Sequence, residues 1–93
     1  MNSFIVTYDL KKSNYDDRSD DYKNLYKKLE SYYNYARITE SSWIIKGNYT
    51  SVSIRDEIMS ILRTGDSLFV AKLTGEAAWS SCIDPHEKIK NAL

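Results

Sequence analysis

The chain has 93 residues, 42% of them hydrophobic, with 13 basic and 13 acidic side chains and a formal net charge of zero. That length fits one domain, near the lower end of what a single core stabilises, and the apolar fraction excludes a disordered chain. Zero net charge argues against a protein that coats duplex DNA through a uniformly basic surface, though not against a local basic face.

The opening run "SFIVTY" is β-branched and aromatic, and it reads as a strand over residues 3–8 that ends at Asp9. "KKSNYDDRSDD" follows, polar and charged, a loop of about ten residues where about 4–6 is usual. From Asp20 the pattern is helical: Tyr22, Leu25, Tyr26, Leu29, Tyr32 and Tyr33 fall on one face. Asp20 and Asp21 stand where a helix start favours negative charge. Two short strands are predicted near 35–39 and 43–46, with a tight turn or bulge at "ESS". "TSVSIRDEIMSILRTGD" is helical, with Ile54, Ile58, Ile61 and Leu62 as its stripe, Ser51 or Ser53 as cap and Gly65 placed to end it. "DSLFVAKLTG" is a fourth strand. The tail gives a weaker signal, a short turn and then a frayed helix after Pro85.

Strand, helix, strand, strand, helix, strand is the βαββαβ, ferredoxin-like plan of an α+β protein. Right-handed crossovers would set both helices on one face of a four-stranded antiparallel sheet. The domain is expected over residues 1–80, with 81–93 as a C-terminal tail on or near a dimer interface. A dimer is expected because the other sheet face would lie open, with Trp43 and Trp79 among the packing candidates. Cys82 has no partner for an internal disulfide, and no secretory signal is read ahead of "SFIVTYD", so a cytoplasmic setting is expected.

Few residues point to chemistry. Asp9 is either a turn residue that hydrogen-bonds the backbone or a ligand for Mg²⁺ or Mn²⁺. One carboxylate is weak for that purpose, and a two-fold dimer would supply two. Asp16, Asp17, Asp20 and Asp21 suggest metal too, but a solvated loop and helix start explain them. Lys11, Lys12 and Arg18 could touch phosphate or be ordinary surface charges. Tyr8 and Tyr15 are candidates for base stacking, whereas core packing accounts for most of the eight tyrosines. His86 has no ligand partner at metal spacing. No nucleophile elbow or glycine-rich phosphate loop is present.

"VTYDL", "ARITESSWIIKG" and "LTGEAAW", in that order and spacing, resemble the small CRISPR-associated Cas-two family. They are closer to its stand-alone relatives, the Cas-two-like or SinR-family proteins. The resemblance spans roughly residues 3–80. It implies a homodimer in which Tyr8 and Asp9 form the catalytic pair and Asp9 from each subunit holds Mg²⁺ or Mn²⁺ for phosphodiester hydrolysis. It also implies that Arg37, near Ser41, Ser42 and Trp43, helps to neutralise phosphate, with Trp43 standing where Phe is commoner. Basic residues of the loop, Lys11 and Lys12, would add nucleic-acid contacts, although this loop is longer and acid-rich and Arg18 matches no family position. The expected function is a metal-dependent nuclease or a nucleic-acid-binding protein acting on single-stranded RNA or DNA. The alternative is a non-catalytic regulatory module for a nucleotide or a protein.

Overall fold

A computed structural model describes all residues, Met1–Leu93. Four strands, β1 (Asn2–Asp9), β2 (Asn34–Thr39), β3 (Ser42–Gly47) and β4 (Ser67–Leu73), form one antiparallel sheet in the order β2-β3-β1-β4. Helices α1 (Ser19–Leu29) and α2 (Ser51–Met59) follow β1 and β3, and α3 (His86–Ala92) closes the chain. This is the ferredoxin-like α+β architecture.

Strand alternation divides the sheet into two faces. Phe4, Val6 and Tyr8 of β1 register with Ile45 and Trp43 of β3 and with Val70 and Leu68 of β4. Leu25 and Leu29 of α1 and Ile54 and Ile58 of α2 close over them in the main core. The end of α1 is tied to α2 by Tyr32, whose hydroxyl donates to Glu57 at 2.9 Å, and by Lys28, 3.1 Å from the same carboxylate. Lys28 also lies over the Tyr32 ring.

The opposite face is not left wholly open. Ala36 and Ile44 meet Ile89 and Ala92 of α3 in a second, smaller core. The tail therefore belongs to the domain. Ile83 and Asp84 donate backbone N–H bonds to Ile38 and Arg37 along the outer edge of β2, and the Ser3 hydroxyl bonds the Ala92 carbonyl at 2.8 Å. Covering an edge strand in this way removes its unpaired backbone groups from solvent. No helix is long and apolar enough to cross a membrane.

Three local expectations need correction. α1 ends at Leu29, so Tyr32 and Tyr33 lie beyond it; Tyr32 is buried while Tyr33 is exposed. The cap of α2 is Thr50, whose side chain accepts from Ser53 N–H while the Ser53 hydroxyl accepts from Thr50 N–H. This reciprocal box satisfies two donors at once, which a lone Ser51 cap would not do. Finally, α2 stops at Met59 rather than at Gly65. Ile61 and Leu62 bond back in tighter three-residue steps, and Gly65, at φ +94°, serves the turn into β4.

Candidate functional site

The long loop between β1 and α1 is held by charge, because it offers little apolar surface to bury. Arg18 adopts a left-handed backbone (φ 65°), and its side chain is only 4% exposed. Its Nη1 and Nη2 donate to the two Asp66 carboxylate oxygens at 2.7 and 2.6 Å, and Nε donates to Asp21 at 2.6 Å. Asp66 also accepts the backbone N–H groups of Lys11 and Arg63. Arg63 in turn bridges Asp16 and Asp21 at 2.9 and 2.8 Å. The Arg18 hydrogen bonds hold the Asp66 carboxyl well below the ordinary carboxylate range, and those of Asp66 and then Asp21 push the Arg18 guanidinium higher still. Arg18 is thus spent on the fold rather than offered to phosphate. The loop acids Asp16 and Asp21 are partners of arginine, Asp16 while still partly exposed.

Tyr8 and Trp43 also belong to the interior. They are 4% and 5% exposed. Trp43 Nε1 donates to the Tyr8 hydroxyl at 2.9 Å, which donates onward to the Glu40 carbonyl at 3.1 Å. Burial pushes the Tyr8 phenol up to about 12, so it stays neutral near pH 7. Neither ring is open to a base. Tyr15, by contrast, is 99% exposed.

Asp9 is neighbour to Tyr8 in sequence but lies on the other face of the sheet, opposite Ser67 of β4. The same face carries Ile5, Thr7, Ala71 and Phe69, the last 62% exposed. Asp9 is exposed and takes part in none of the chain's ion pairs. Nor does its carboxylate accept a turn N–H, as those of Asp16, Asp17 and Asp66 do. No group of three or more His, Cys, Asp or Glu side chains within the chain could hold a metal ion.

The remaining candidates gather on the helix face. Between the start of α1 and the β2–β3 turn lies a cleft of about 490 Å³, lined among others by Lys12, Tyr22, Lys23, Tyr26, Arg37 and Glu40. Arg37 stacks over Tyr26 and Trp43, 4.5 and 5.7 Å from the ring centroids. Its Nη2 donates to the Tyr26 hydroxyl at 3.1 Å and to the Glu40 carbonyl at 2.8 Å, while Nε is buried without an acceptor. Lys12 reaches over the Tyr22 ring at 5.9 Å. Lys11 stays outside the cleft, its side chain running beside Gly65. Of the predicted set, then, Lys12 and Arg37 come together on the cleft, with Trp43 beneath Arg37; Asp9, Lys11 and Arg18 are elsewhere. Lys23 was not singled out by the sequence, because nothing local links it to an arginine on a distant strand.

Fold and site together define a small ferredoxin-like α+β protein with a cationic, tyrosine-walled cleft on one sheet face and an unpaired carboxylate on the other. No known family model matches the chain, and no curated protein matches it.

Proposed function

We propose that the protein is a Cas-two-like, metal-dependent nuclease that acts as a two-fold homodimer on single-stranded RNA or DNA. The observation that carries this reading is Asp9: exposed, at the end of β1, without a structural bond of its own. The turn interpretation required a carboxylate–backbone hydrogen bond, and Asp9 has none. An isologous contact across the β1–β4 half of the sheet, where Phe69 is exposed, would carry two Asp9 carboxylates toward one axis. Mg²⁺ or Mn²⁺ is held by one or two carboxylates with water and substrate phosphate, and a pair of Asp9 side chains would supply the fuller set. A cation bound there supplies charge neutralisation at the phosphodiester and an acidified water. The chain's own part is to hold Asp9 on a rigid strand end, with Tyr8 anchoring that strand from the core side.

The test is cleavage of single-stranded RNA and DNA with Mn²⁺ or Mg²⁺, set against chelator and Asp9→Asn. The variant keeps the side-chain shape and loses the charge. Cleavage by wild type alone supports the reading; no metal-dependent cleavage, or equal cleavage by the variant, removes it. A second reading, a non-catalytic module that binds a nucleotide or a protein, is favoured by the separation of Arg37 and Lys12 from Asp9 on opposite sheet faces.

A further inference from the structure

We infer that the cleft between the start of α1 and the β2–β3 turn binds a terminal phosphate monoester, carried by a free nucleotide or by the 5′ end of a nucleic-acid strand. The inference deepens the second reading and does not depend on Asp9.

Four observations carry it. First, the cleft is cationic with its cations uncommitted: Lys12 and Lys23 line it, and neither belongs to an ion pair of the chain. Second, Arg37 is pre-organised. Its guanidinium is pinned by the Tyr26 and Trp43 rings and by the two bonds from Nη2, leaving Nη1 without a partner in the chain. A guanidinium fixed before binding loses little freedom on meeting an oxyanion, and its open Nη1 presents N–H donors to phosphate oxygen. Third, Tyr22 and Tyr26 stand side by side along the wall, their centroids 6.0 Å apart, beside the cations where a base or sugar would lie. The volume of about 490 Å³ falls among pockets that hold small molecules, about 300–1,000 Å³.

The fourth observation sets the ligand's charge. Asp17 and Glu40 line the same cleft, so three cations face two carboxylates and the formal charge is +1. One phosphate is accommodated; a triphosphate would bring excess negative charge against those carboxylates. The two acids instead suit hydroxyl or amino donors of a sugar or base.

The experiment compares fluorescent single-stranded oligonucleotides bearing a 5′-phosphate or a 5′-hydroxyl, by anisotropy at one fixed salt concentration. The 5′-phosphorylated strand is expected to bind about tenfold more tightly, the scale of one charge-assisted contact. Lys12→Gln/Lys23→Gln removes two exposed cations that belong to no ion pair of the chain. It is expected to keep the wild-type melting temperature and to erase the preference; Arg37→Lys, which keeps the charge and loses the pinned Nη1 donor, is expected to reduce it. Asp9→Asn is expected to keep it, which separates this site from the metal reading. Competition by a nucleoside monophosphate assigns the free nucleotide as the source, and persistence of the preference without such competition assigns the strand end. Equal binding of the two strands, or a preference untouched by both cleft variants, overturns the proposal.

Discussion

A guanidinium taken out of water is tolerated only when its donors find acceptors, and Arg18 meets that condition through Asp66, Asp21 and the Lys11 carbonyl. Asp66→Asn leaves Asp21 in place but breaks the paired contact. The expected loss is about 3 kcal/mol, the low end for breaking a buried ion pair, measured by urea unfolding. The pH dependence follows from the direction of the shift. The folded Asp66 carboxyl binds its proton less readily than the unfolded one, whose ordinary value is 3.8, so the stabilisation is complete above that value. It is lost as pH falls below about 4 toward the depressed folded value, and Asp66→Asn should flatten that part of the acid-unfolding curve. Tyr8 makes a contrasting case. Tyr8→Phe strands the buried Trp43 Nε1 donor, at an expected cost of about 1–3 kcal/mol in thermal or urea unfolding. It should leave metal-dependent cleavage in place; loss of cleavage by a still-folded Tyr8→Phe protein would restore a chemical role to the phenol.

Among the elements, α3 is the one whose contribution is easiest to isolate, because its core is separate from the main one. Ile89 is 1% exposed between Ala36 and Ile44. Ile89→Ala is expected to cost about 2–5 kcal/mol and to raise amide exchange first in α3 and along β2, with the α1–α2 side protected longer. The other elements were legible because their periods are long enough to read. β1 is a β-branched and aromatic run whose Phe4, Val6 and Tyr8 alternate into the core, and α1 spaces Tyr22, Leu25, Tyr26 and Leu29 on one face. α3 has seven residues and only Ile89 and Ala92 buried, too few to establish a period. The Arg18–Asp66 pair was illegible for another reason: its members are 48 residues apart and meet only when the loop docks on the turn before β4. Trp43 was a packing candidate for the core or a dimer interface and lies in the main core, while the resemblance alone suggested a nucleic-acid contact. The cleft was half visible, since Arg37 and Lys12 were candidates, but no local pattern joins them to Lys23.

At the scale of the whole molecule, α3 and the tail cover the β2–β3 half of one sheet face, and Phe69 remains exposed on the β1–β4 half. A homodimer through that half is expected to sediment at about twice the 10.8 kDa chain mass, and Phe69→Lys should return it to a monomer. A wild-type protein that stays monomeric at micromolar concentration would leave Asp9 a single carboxylate, too weak a ligand for the proposed chemistry. The most direct test of the central claim, that two copies of Asp9 build one metal site, is the stoichiometry of Mn²⁺ binding, read by equilibrium dialysis with paramagnetic detection of the free ion. The account predicts one saturable ion for every two chains and none for Asp9→Asn at the same protein concentration. No saturable binding by the wild-type dimer, or the same binding by the Asn variant, would contradict it.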